Sequence, residues 1–173
     1  MQYTRLNAAE RSELMSALAH MPQWLQNACA GLSDELAVTP GPEGAFSPVE
    51  QVWHLADLER EGFGLRIRRL QRELHPQLPD FDGTRIARER HYLALSLADG
   101  LRAFAAARAE NLAALATVSA ADWTRAGTQE GVGPVSLCDM PVFLSQHDAA
   151  HVAEIQAWRH HVGIDPAGAA DNA

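Results

Sequence analysis

The chain has 173 residues, 47% of them apolar, which is enough for one domain with a core of its own, and its net charge of −8 argues against a nucleic-acid backbone as partner. No apolar stretch approaches a membrane span, and the N-terminal MQYTRLNAAERSEL lacks the charged-then-apolar order of a signal peptide, so a cytoplasmic protein is expected. Cys29 and Cys138 are far apart and belong to no Cys-x-x-Cys pair, so they read as small apolar residues in a reducing compartment.

In chain order, the first helix is expected over 8–30. Asn7 with Glu10 three residues on forms a capping-box start, Gly31 is placed to end the helix, and Pro22 should kink or split it near His20 and Met21. Residues 31–46, with TPGPEG at 39–44, read as a loop. Ser47-Pro48-Val49-Glu50 then opens a second helix, expected over 47–74: Ser47 can cap, Pro48 suits the first helical position and Glu50 completes the box. Its main apolar face is Val49, Val52, Trp53, Ala56, Phe63, Ile67 and Leu70. His54, Leu58, Glu61 and Leu65 form another stripe, which suggests neighbours on two sides and an inward His54. The basic run RIRRLQR, 66–72, reads as the solvated end of this helix.

LPDFDG at 78–83 is loop-like, and 84–95 has helical composition. Ser96 and Asp99 start a third helix over 96–118, on whose apolar stripe (Leu97, Leu101, Phe104, Leu112, Leu115) Arg108 is an interruption. An arginine there either snorkels outward or pairs with a buried acid, the first being commoner. Residues 119–135 read as a long polar, Gly-rich loop. Ser136 and Asp139 can cap a last helix over 136–161, in which Pro141 should cost a hydrogen bond and cause a bend. Four long helices without a clear strand make an all-α four-helix bundle, one domain over 1–173, with about the last ten residues a disordered tail.

The last helix carries SQHDAAHVAEIQAW, residues 145–158. His147 and His151 are one turn apart, so both imidazoles leave the same face and can meet one ion. That face also holds Met140, Leu144 and Trp158, a stripe that turns toward a core. Two inward histidines are either core residues bonded to carbonyls and carboxylates or ligands of a metal. On the second helix, Asp57 and Glu61 could orient a ligand or act as a base, or they could be part of a solvated face.

FSPVEQVWHLADLE (46–59), LSQHDAAHVAEI (144–155) and ADWTRAG (121–127) together resemble the DinB/YfiT-like superfamily, in particular its DinB_2-type branch. The first two are similar to its helix-2 motif W-S-x-x-E-x-x-x-H-L-x-D, with Phe46 in place of the usual Trp, and its C-terminal H-x-x-x-H helix. The resemblance implies a bundle in up-down-down-up order, usually dimeric, with a divalent metal held by His54, His147 and His151. Zinc and nickel both suit such a site, since imidazole nitrogen does not choose between them. It also implies a metal-dependent enzyme of the thiol S-transferase or hydrolase type, acting on a small molecule that could be a low-molecular-weight thiol. The alternative is a non-catalytic dimeric bundle in which the metal only staples the second and fourth helices and the protein acts as a binding or stress-response module.

Overall fold

The computed structural model describes residues 4–164. Four helical stretches build the bundle: α1 (Ala8–Cys29), a second made of α3 (Pro48–Asp57), a π-helical turn (Leu58–Phe63) and α4 (Gly64–Arg72), then α6 (Leu97–Ala116) and α7 (Asp139–His161). Short helices α2 (Asp34–Ala37) and α5 (Gly83–Glu89) lie in the connections. The expected C-terminal tail falls almost wholly outside the described residues.

The starts of these helices are local chemistry. Asn7 Oδ1 accepts from the backbone N–H groups of Ala9 and Glu10 while Glu10 Oε2 accepts from that of Asn7, at 2.7–3.0 Å. Ser47 and Glu50 make the second capping box. At α6 the Ser96 hydroxyl caps the Asp99 N–H at 3.2 Å, but the Asp99 carboxylate turns to Arg102.

Contacts between the helices give their directions. The side-chain amide of Gln71 reaches the carbonyl of Ala114, and Trp53 that of Ser96, so the second stretch and α6 run parallel. Thr4 reaches Asp139 and Arg159 reaches the carbonyl of Ala28, so α1 and α7 run parallel as well. Gln51 meets Glu154 and His54 meets His147, which makes the second stretch and α7 antiparallel. The order is up-down-down-up.

Each of the two prolines expected to disturb a helix is accommodated. Pro22 leaves α1 unbroken. It cannot donate to the carbonyl of Leu18, four residues back, and that carbonyl accepts instead from Arg108 Nη1 at 2.9 Å. Pro141 is the third residue of α7, where a backbone N–H would have no intrahelical partner, so it costs no bond. Ser136 is the end of a strand rather than a cap, and Asp139 reaches back to its N–H and hydroxyl at 2.7 and 2.8 Å.

The stretch 119–135 is not all loop. β2 (Ala126–Gln129) and β3 (Gly133–Ser136) form an antiparallel hairpin, with Gly127 opposite Val135, and β1 (Gln77–Leu78) adds in parallel with Leu78 opposite Gln129. Gly127 permits this, because a Cβ there would lie 2.7 Å from the carbonyl oxygen of Pro76. The sheet closes over one end of the bundle: Leu78, Trp123, Val135 and Leu137 join Ile67, Leu70, Leu115 and Leu144 in one core cluster. A second cluster at the other end holds Met21, Leu25, Val52, Leu55, Phe104 and Ile155. Between them lies a polar level. On α6 it falls at Arg108 and Asn111, on α7 at His147, Asp148 and His151, and on the second stretch at His54 and Glu59.

Arg108 does not snorkel. It is 1% exposed and ties the four helices together at that level. Its guanidinium donates to Glu59 Oε1 at 2.8 Å, to both oxygens of Asp148 at 2.8 Å, and to the Leu18 carbonyl of α1. Asn111 completes the sphere of Glu59 with a 2.6 Å bond. Burial lifts the Glu59 and Asp148 carboxyls above their usual range, and the charge of Arg108 pulls them back.

Candidate metal centre

His54, His147 and His151 come together on the inner faces of α3 and α7. His147 Nε2 lies 3.4 Å from His54 Nε2 and 3.1 Å from His151 Nε2. A potential ligand atom from each falls within 4.8 Å of the others, and no Cys, Asp or Glu among the described residues joins the group.

The proton on His151 can be placed from its neighbours. Gln51 Nε2 donates to Glu154 Oε2 at 2.7 Å, because a carboxylate only accepts, and this turns Gln51 Oε1 toward His151 Nδ1. His151 Nδ1 is therefore the protonated nitrogen, and Nε2 presents a lone pair to the centre. Gln51, at 2% exposure, is fixed in this orientation. Burial is the main cause that lowers the proton affinity of all three rings. His54 and His151 are pushed down to about 4, and His147 to about 3 by burial with the positive fields of His151, His54, Arg108 and Arg66 added. All three are thus neutral at pH 7, the form that can ligate.

Neutral imidazoles facing one another through Nε2 have too few protons to satisfy each other. Three nitrogens around one tetrahedral ion at about 2.0–2.1 Å would be separated by roughly 3.3–3.4 Å. The two observed separations, 3.1 and 3.4 Å, match that edge. His54 Nδ1, buried and without a protein hydrogen bond, leaves this ring nothing but the centre to serve. The donor set fits a divalent metal.

Aromatic rings hold the imidazoles in place. The ring centroids of Phe46 and Phe81 lie 5.8 and 6.0 Å from that of His54, and Phe63 stands edge-on to His147 at 6.1 Å. Phe63 is turned inward by the π-helical turn, in which the Gly64 N–H reaches back five residues to Glu59. The extra residue shifts the phase of the stripe: His54 and Leu58 are continued by Phe63, Ile67 and Leu70. Glu61 and Leu65, which an undisturbed helix would place on that stripe, are turned away from the core centre.

Asp57 and Glu61 are both engaged by Arg90. Asp57, 1% exposed, accepts from the Tyr92 hydroxyl and Arg90 Nη1 at 2.6 Å each, and from Arg60. Glu61 is exposed and takes a bidentate pair from Arg90 at 2.8 Å. Both bind the connection after α5 to the second helical stretch, and neither is grouped with the three histidines.

Two contributors escape a reading of residue patterns. Gln51 precedes His54 by three residues, on the same helical face, and that spacing is a signal for it. Gly83 has none. It packs flat on His54, and a Cβ there would lie 2.4 Å from the ring Cε1.

Comparison with known proteins bears on the family and the fold. The family model described as the DinB superfamily matches residues 17–155. The chain is 28% identical over 160 residues to a protein of Geobacillus kaustophilus (strain HTA426) named "Putative metal-dependent hydrolase", a match covering 92% of this chain and 89% of that protein. A protein of the same description from Geobacillus thermodenitrificans (strain NG80-2) is 26% identical with the same coverage. Among solved structures, YfiT from Bacillus subtilis, described as "a probable metal-dependent hydrolase with an unusual four-helix bundle topology", superposes with a TM-score of 0.87 over 95% of this chain and 94% of that one. At 17% identity that likeness concerns the fold.

Proposed function

We propose, from the premise that this chain belongs to the DinB superfamily, that His54, His147 and His151 hold one divalent metal ion and that the protein is a metal-dependent enzyme of the hydrolase type. The observation that carries the reading is the convergence of three neutral imidazoles through Nε2 with no fourth ligand grouped with them among the described residues. A staple that only joined helices would close its sphere with a fourth protein ligand; three ligands leave a position open for chemistry. The Geobacillus relatives, described as metal-dependent hydrolases, favour hydrolysis over thiol transfer.

A divalent metal bound with an open position lowers the pKa of a water or thiol it holds, and so supplies a nucleophile near neutral pH. The chain's own residues set the conditions for this. Gln51 and Glu154 keep His151 in the ligating tautomer. Phe46, Phe63 and Phe81 wall the histidines with apolar surface, which limits water and strengthens local electrostatics. Asp57 and Glu61 hold the frame through Arg90 and are given no proton-transfer role. Zinc and nickel are both suited to the three imidazoles. A small-molecule substrate, a homodimeric assembly and a cytoplasmic location complete the proposal; none of the described helices is long and apolar enough to cross a membrane.

The deciding measurement is metal content by mass spectrometry on protein purified without a histidine tag. About one ion per chain is expected for the wild type, and none for His147→Ala or His151→Ala. Full metal content in His54→Ala would overturn the three-histidine site. Hydrolysis assays on ester and amide panels, with a thiol-transfer assay beside them, then separate the two chemistries.

A further inference from the structure

We propose that Arg66 is the anion-recognition residue of this site and binds a carboxylate on the molecule brought to the three histidines. The inference rests on reading the histidines as a metal centre, and it names the chemistry of what that centre receives.

Arg66 lies in the run that sequence patterning assigns to a solvated helix end, yet it is 5% exposed. It differs from the other buried arginine in its partners. Arg108 meets two carboxylates, whereas Arg66 pairs with none among the described residues. Its one hydrogen bond runs from Nη2 to the carbonyl of Pro79 at 3.2 Å, and its Nε–H is buried without any partner. The field of the Asp80 carboxylate reaches Arg66 without contact, and a charge removed from water with no acid touching it costs several kcal/mol, roughly, so native proteins pair such groups. A buried guanidinium with a vacant donor edge is therefore a place for an anion.

Its location says which anion. The guanidinium carbon sits 5.6 Å from the centre of the Phe63 ring, and that same ring stands edge-on to His147 at 6.1 Å. Arg66 and His147 thus flank one phenyl ring, and the charge of Arg66 reaches His147. A small organic molecule with one reactive group at the histidines could extend its far end past Phe63 to Arg66. Arginine offers its N–H groups in a planar fork, the shape that matches a carboxylate. The Pro79 bond and the stacking on Phe63 hold that fork in one orientation before any ligand arrives.

The test uses cobalt-loaded protein and two probe series, ω-mercapto acids of three to six carbons and the ω-mercapto alcohols of the same lengths, each titrated while the visible thiolate-to-cobalt absorption is followed. Both series coordinate through sulfur, and only the acids carry a far carboxylate. Metal content of wild type, Arg66→Gln and Arg66→Lys is measured first and should be equal. In the wild type the acid whose length spans the Phe63 ring should bind tenfold or more tighter than its alcohol; that advantage should vanish in Arg66→Gln and shrink several-fold in Arg66→Lys, which keeps the charge and loses the fork. Alcohol binding should be unchanged in both. An equal acid advantage in wild type and Arg66→Lys overturns the assignment even if Arg66→Gln fails to fold. Parallel weakening of both series also overturns it, since a merely structural role would do that. If the wild type takes up no cobalt, the metal centre itself is refuted and the Arg66 role falls with it; if cobalt binds normally and the acids show no advantage, only this inference falls.

Discussion

Replacing Arg108 with Met removes the cation at the centre of the bundle and keeps most of its volume. The guanidinium is 1% exposed and bridges Glu59 and Asp148, whose side chains are 3% and 11% exposed. Its loss strands two carboxylates in a level between two apolar clusters and frees the Leu18 carbonyl that Pro22 already leaves without a helical partner. Breaking a buried ion pair from one side costs about 3–5 kcal/mol, against a total stability of about 5–15 kcal/mol for a domain. With about 2–4 °C of melting temperature per kcal/mol at this size, the expected fall is on the order of 10 °C, and the urea midpoint should drop by ~2 M. The assay is urea unfolding of metal-free protein at pH 7, so that ion binding does not contribute.

The pH dependence of that loss identifies its cause. In Arg108→Met the two carboxyls, already lifted by burial, lose the charge that pulls them back. The folded variant then binds protons more tightly than its unfolded chain, so its deficit is full at pH 7 and shrinks as pH falls toward the usual carboxylate range. Adding Glu59→Gln and Asp148→Asn should recover most of the stability. A cost under about 1 kcal/mol, or a deficit that grows on acidification, would refute the account.

Other outcomes concern the site. Gln51→Leu removes the acceptor that fixes the His151 tautomer and should weaken metal binding by roughly 10–100-fold in a chelator-competition assay, with little loss of fold. Gly83→Ala should also weaken metal binding, because the added Cβ falls 2.4 Å from a His54 ring already confined by Phe46 and Phe81; unchanged affinity would show that the ring can move aside. For wild-type metal-free protein, the three histidines sit at about 3 to 4 in the fold against 6.5 in the unfolded chain, so the unfolded state takes protons first. Stability should therefore decline as pH falls from about 6.5 to about 3, where His147 is the last to take its proton in the fold, and lose no more to these groups below that, as read by melting temperature across that range. In metal-loaded protein the same window should release the ion.

What the sequence by itself determined was whatever depends on neighbours within a turn or two. The capping boxes at Asn7 and Ser47 are set by a side chain and a backbone three residues apart, and they are read without knowing the fold. The His147–His151 pair follows from helical spacing alone, and the apolar stripes announced a bundle. Tertiary structure decided everything that needs a partner from afar. The sheet depends on Leu78 lying beside Gln129 and on Gly127 admitting the Pro76 carbonyl, so short polar strands that read as loop become ordered only through pairing. Arg108 is buried because acids from two other helices and a carbonyl freed by Pro22 meet it, and no local pattern reports that. The π-helical turn moved Glu61 off the inward stripe and Phe63 onto it, since one extra residue rotates everything after it. Arg66 sits in a basic run that looks solvated, and only the packing of Phe63 and the Pro79 segment around it takes its charge out of water. Local geometry is encoded by adjacent residues, whereas burial and charge partnership belong to surfaces that come into being when distant segments pack.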